Sequence, residues 1–156
     1  MTGTSQPPKP TGPVGLYRAI FLWLERLPVA LPVLVMRIAV GLVFWRSGKT
    51  KLPFGNDTTI LLFREEYKVP LLPPELAAYM ATSIELLAPW LLWAGLLTRP
   101  AAAVLLAQTL VIQIFVYPQS YPEHLLWAGP LLYLLMRGPG KWSLDALIRD
   151  TIGGGR

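Results

Sequence analysis

Two charges of opposite sign stand inside otherwise apolar stretches. Arg37 is the only charge in mid-stretch of LPVLVMRIAVGLVFWRSG (31–48), and Glu85 lies near the middle of ELAAYMATSIELLAPWLLWAGLLT (75–98). A charge at the centre of a bilayer costs about 2.5–3.5 kcal/mol on insertion scales. Pairing with the opposite charge is the obvious relief, and a rise of about 1.5 Å per residue puts both near mid-membrane. Two readings stand. Glu85 can be a proton carrier with Arg37 as its partner, the catalytic pair of a site that handles a proton or ligand. The two can equally form a buried ion pair that fixes helix register. One pair alone makes no reaction.

Other polar residues reach similar places. Gln108 can donate to Glu85 or contact a ligand carbonyl, or it can be interhelical glue, the commoner role in membranes. Gln113 stands about a turn from the outer end of its stretch and can line the same cavity. His124, the only histidine, begins the last apolar stretch, where it can hydrogen-bond a quinone-like ring or sit at headgroup level. Trp45 and Trp127 near the outer end can wall a flat cofactor, although tryptophans at span ends more often form an aromatic belt. Lys49, just past the first stretch, is a further candidate ligand contact. A single histidine makes neither a bis-histidine haem site nor a zinc site, and there is no cysteine, so no metal or haem is expected.

The elements that must hold these residues follow from the apolar blocks. The chain is 53% hydrophobic and 15% charged, and the charges gather between the blocks. That is the pattern of a bilayer protein. Four spans are expected, at about 31–48, 75–98, 101–117 and 123–137, in an all-α antiparallel four-transmembrane-helix bundle. Pro73-Pro74 opens the second span, and Arg99-Pro100 is expected to be a tight turn into the third. Val14 to Leu27 carries apolar residues at helical spacing together with Arg18 and Glu25. It reads as an N-terminal interfacial helix or as the first turns of a long tilted span. Within Lys49–Pro74, Gly55-Asn56-Asp57 is a cap signal before a short amphipathic helix in this first outer loop. Gly41 and Gly48 lie on the Arg37 face of the first span, so the Arg37-Gly41-Phe44-Gly48 face is expected to point into the bundle. Residues 1–13 read as a disordered tail, 14–145 as the membrane domain and 146–156 as a flexible tail.

The net charge of +5 is loop charge that sets topology. No basic run interleaves with aromatics, so nucleic acid is excluded as a partner. With four spans both termini share one side. That side holds Lys9, Arg18, Arg26, Arg99, Arg137, Lys141, Arg149 and Arg156; the other holds Arg46, Lys49, Lys51, Arg64 and Lys68. The excess places both termini in the cytoplasm.

Several runs together resemble the DoxX family of small membrane proteins. They are RIAVGLVFWRSGK (37–49), Pro73-Pro74 followed by a helix with central Glu85, AGLLTRPAA (94–102), and GPGKWSLD (138–145) preceded by His124 and Trp127. The likeness covers most of the chain, from about Leu34 to Asp145. It implies a four-helix domain in a bacterial inner (plasma) membrane. Some members are large subunits of a thiosulfate:quinone oxidoreductase, and others serve methylamine dehydrogenase maturation or thiol and oxidative stress. The family implies architecture strongly and chemistry weakly. Without cysteine, an autonomous sulfur oxidoreductase is not expected; part of a quinone-linked complex is. The leading expectation is an accessory subunit of a redox system that binds a quinone-like lipid in the bundle. The alternative is a non-enzymatic membrane scaffold or assembly factor. Expected partners are the bilayer, a soluble redox or maturation protein docking on the Lys49–Pro74 loop, and further copies of the chain.

Overall fold

The computed structural model describes residues 12–153. Of the expected disordered tail, residues 1–11 lie outside the described residues. The first helix, α1 (Pro13–Glu25), opens with Pro13 in its first turn, where a missing N–H costs nothing. It buries no residue. Leu16, Tyr17, Ile20, Phe21 and Trp23 are all at least half exposed.

The second helix, α2 (Ala30–Thr50), buries Ala30, Val33, Arg37, Val40, Gly41, Phe44 and Gly48. These recur every three or four residues and form one stripe, which contains the whole face expected from the sequence. A Cβ on Gly48 would stand 2.9 Å from the Glu85 Cβ, so this glycine is what lets α2 approach its neighbour.

In the connection that follows, Asn56 caps α3 (Asp57–Leu62), accepting from Thr59 N at 2.7 Å. The helix widens into a π turn over Phe63–Tyr67. Phe63 then packs with Ala77 and Ala78. The amphipathic loop helix is thus pinned against the start of α4 (Pro74–Ala94).

Most boundaries fall within about two residues of the sequence expectation, and three depart further. α4 stops at Ala94, short of Thr98. Gly95 takes a left-handed conformation (φ 67°) there, and Gly95 N and Leu96 N return to Leu92 O and Leu91 O. α5 (Thr98–Val111) therefore starts earlier than Ala101, so Arg99-Pro100 is its first turn and Gly95–Leu97 is the bend. α5 runs on through a π turn, Ile112–Val116, and a short 3-10 turn leads into α6 (Tyr121–Arg137). The third difference is the expected flexible tail from Ala146: α7 covers Leu144–Gly153. Ser143 Oγ caps it by accepting from Ala146 N at 3.2 Å. Leu144, Leu147, Ile148 and Ile152 fall at helical spacing.

α2 packs on α4, α4 on α5, α5 on α6, and α6 back on α2. Between them lies one core, with Phe44, Leu92, Leu105, Leu131 and Leu134 at its centre and Ala101 and Ala102 at the close crossings. The described residues are helical apart from turns and connections. Three helices are long and apolar enough to cross a membrane: Ala30–Thr50, Pro74–Ala94 and Thr98–Val116. Their outward faces carry exposed Val35, Ile38, Leu87 and Leu110, as lipid-facing surfaces do.

Candidate functional site

Glu85 sits in the middle of α4 and is 2% exposed. Its Oε2 accepts from Lys51 Nζ at 2.6 Å, and its Oε1 accepts from Gln108 Nε2 at 2.7 Å. Lys51 is also buried; it gives a further hydrogen bond to Ser47 Oγ at 2.8 Å. A buried carboxylate of this kind is tolerable only because its oxygens are paired and hydrogen-bonded. Lys51 lies one residue beyond α2. Its backbone carbonyl accepts from Asn56 Nδ2 at 2.9 Å, which ties the cation to the cap of α3.

The expected Arg37–Glu85 pair does not form. Arg37 is 1% exposed and spends its guanidinium on backbone carbonyls. Nε donates to Leu92 O at 2.6 Å, Nη2 to Trp93 O at 2.6 Å, and Nη1 to Trp142 O at 2.6 Å and Pro139 O at 3.1 Å. The reason is register. Gly48, not Arg37, meets Glu85 across the α2–α4 crossing, and the eleven residue steps from Arg37 to Gly48 amount to roughly 16 Å of helix rise. Arg37 instead meets the last carbonyls of α4, where the partial negative end of a helix favours a cation. Asp145 complements it from the far side of the bend, accepting from Leu97 N at 2.9 Å and Thr98 N at 3.0 Å at the start of α5. Arg37 and Asp145 are thus structural clamps on the α4–α5 bend and on the segment that precedes α7.

A cavity of about 690 Å³ opens above Glu85, within the usual range for small-molecule sites. Val43, Ile84, Val104 and Val111 supply apolar wall; Ser47, Lys51, Glu85 and Gln108 form its polar corner. Gln108 Oε1 is buried there without a hydrogen-bond partner. On the other side stand His124 and Trp127. Their rings are 5.0 Å apart, and Trp127 meets Phe44 edge-on at 5.8 Å. His124 Nδ1 lies 2.6 Å from Gln113 Oε1, so Gln113 stands behind the histidine and is not among the lining residues. At the mouth, Tyr117 donates to Glu66, and Tyr67 packs edge-on against Tyr117 at 5.8 Å. Burial pushes the Tyr67 hydroxyl above the usual phenol range, so it stays protonated at neutral pH.

The structure therefore brings together Glu85, Gln108, His124 and Trp127, with Gln113 behind them. It sets Arg37, Trp45 and Lys49 elsewhere. Trp45 packs with Trp90 and Trp93, and Lys49 Nζ lies 3.9 Å above the Trp45 ring. Neither lines the cavity, because Trp45 is displaced by about 100° around the helix from its neighbour Phe44. Lys51, Ser47, Tyr67 and Tyr117 are site residues that the sequence reading did not single out. For Lys51 the signal was present: it continues the stripe Arg37, Gly41, Phe44, Gly48 by one more step of three.

A family model described as DoxX matches residues 32–118, more than half of the chain. A relative from Haemophilus influenzae, described as an uncharacterized protein, is 30% identical over 130 residues, covering 76% of this chain and 84% of its own length. No solved structure matches the chain. The family match takes in Lys51, Glu85, Gln108 and Gln113; His124 and Trp127 lie just beyond it.

Proposed function

The chain belongs to the DoxX family, and on that premise we propose that it is an integral membrane accessory subunit of a redox system that binds a quinone-like lipid in its central cavity. In this reading α2, α4, α5 and α6 all cross the bacterial inner membrane as an antiparallel bundle. Both termini lie in the cytoplasm, and α1 lies along the membrane surface. The lack of any buried residue on α1, whose apolar side chains are about half exposed or more, supports that last placement.

The observation that carries the reading is the cavity itself. Apolar side chains from several helices enclose a space of about 690 Å³, and a buried Lys51–Glu85–Gln108 group closes one corner. This is the division of labour expected of a site for an apolar molecule with a polar head. The unpartnered Gln108 Oε1 fits a head group able to donate a hydrogen bond. A bound quinone supplies two-electron, two-proton redox chemistry. The chain's own part is to hold the ring between Phe44, Trp127 and the apolar wall, and to orient its oxygens. Lys51 takes the place that the sequence assigned to Arg37, as the cation that pairs with Glu85 and holds it in position.

The test is mass spectrometry of an organic-solvent extract from protein purified in mild detergent, beside a Glu85→Gln variant whose helical content is checked. A near-stoichiometric quinone in the wild type that is lost from the folded variant supports the reading. No bound small molecule in either sample overturns it in favour of the scaffold alternative, in which the Lys49–Pro74 connection docks a soluble partner.

A further inference from the structure

His124 lines the cavity from the first turn of α6 and is 4% exposed. The hydrogen bonds behind it determine which of its nitrogens carries the proton. Gln113 Nε2 donates to Pro118 O at 2.7 Å. Turning that amide round would set two oxygens against each other, so its orientation is fixed. Gln113 Oε1 is then the atom that faces His124 Nδ1 at 2.6 Å. An amide oxygen only accepts, so Nδ1 must donate. A neutral imidazole has one N–H. With it spent on Gln113, Nε2 keeps its lone pair and makes no hydrogen bond to another described residue.

At the opposite corner most donors are engaged. Lys51 Nζ is held by Glu85 and Ser47, and Gln108 Nε2 gives one of its two N–H groups to Glu85. A carbonyl oxygen arriving at His124 meets a lone pair opposing its own. A hydroxyl arriving at His124 finds an acceptor.

Resting on the reading of the cavity as a site for a quinone-like lipid, we infer that His124 is a fixed hydrogen-bond acceptor that makes the cavity select the reduced, dihydroxy head group over the oxidised, dicarbonyl one. Gln113 is the positioning residue: it touches no ligand and acts by locking the imidazole tautomer. The preference is a consequence of wiring within α5, the turn at Pro118 and α6, and it requires no movement of the backbone.

The sole histidine makes the test direct. Nitrogen-15 NMR of histidine-labelled protein in lipid nanodiscs reads the two ring nitrogens separately. The expected result is a protonated Nδ1 and a bare Nε2, with that preference lost in Gln113→Leu. A protonated Nε2 in the wild type overturns the inference. The second measurement is binding of a short-tailed benzoquinol and of its benzoquinone, under anaerobic conditions, to wild type, Gln113→Leu and His124→Phe. The quinol is expected to bind roughly tenfold more tightly or better, the factor that about 1.4 kcal/mol represents. Both variants should bring the two affinities together. Equal affinities in the wild type, unchanged by Gln113→Leu, overturn the selection while leaving the quinone-site reading standing. Binding of neither form, with the tautomer lock intact in the spectrum, overturns that reading and the selection with it.

Discussion

Lys51 and Glu85 face each other at 2.6 Å with almost no access to solvent, so each is the other's buried partner. Removing one partner from such a pair leaves an uncompensated buried charge and costs about 3–5 kcal/mol, whereas replacing both by groups of similar shape is often near neutral. Lys51→Met alone is therefore expected to lower the thermal midpoint in detergent sharply, and the double variant Lys51→Met/Glu85→Gln to recover most of the loss. Unfolding curves of the two singles and the double, taken as a cycle, check this. If the double is as unstable as the worse single, the pair is not the unit that stabilises this corner. The same pair shows how far residue types could be read ahead of the structure. That Glu85 needed a cation was legible from its apolar surroundings. Which cation was not: Lys51, at the C-cap of α2, continues the stripe that carries Arg37, and only the depth at which α2 crosses α4 chooses between them.

At the scale of elements, the helices themselves were legible because apolar blocks and proline positions announce them. Their ends were less so. The bend between α4 and α5 was expected at Arg99-Pro100 and is made at Gly95–Leu97, because a left-handed glycine ends a helix more decisively than a proline that can occupy the next helix's first turn. The tail was missed for a different reason. Asp145 and Ser143 look like ordinary loop residues until the bend that Asp145 caps and the start of α7 that Ser143 caps are known. Arg37, Gly95 and Asp145 form one joint: a Cβ on Gly95 would stand 2.8 Å from Arg37 Nη2 and collide with Ser143. Gly95→Ala is accordingly expected to destabilise by more than about 1 kcal/mol, since the backbone conformation and the packing both oppose it. Because the joint is remote from the cavity, ligand binding at temperatures where the variant remains folded should be unchanged. Parallel measurement of unfolding and of bound ligand separates the two effects. A variant that is stable but has lost ligand would mean that the joint and the cavity are coupled.

For the molecule as a whole, the number of membrane crossings decides what faces which compartment. Three helices satisfy both length and hydropathy for a span. α6 has seventeen residues, about 26 Å at the helical rise, slightly under the ~30 Å of a typical hydrocarbon core. Its packing argues that it crosses nonetheless: it lies against both α5 and α2 and contributes Leu131 and Leu134 to the common core. If α6 crosses, α7 lies on the opposite side from the α2–α4 connection and from the turn between α5 and α6. If it does not, α7 shares their side. The absence of native cysteine allows single cysteines to report this without background. Thr58→Cys, Gln119→Cys and Thr151→Cys are all at exposed positions. In intact inner-membrane spheroplasts an impermeant maleimide should label the first two and leave the third unmodified until the membrane is opened. That pattern would put the mouth of the cavity, at Tyr117 and His124, on the outer face, and the Arg37 joint and α7 in the cytoplasm with the larger share of Lys and Arg. Labelling of Thr151→Cys together with Gln119→Cys would instead mean three crossings. The cavity would then be bounded on one side by a helix lying at the surface, and a soluble partner rather than lipid would be the natural cover for it.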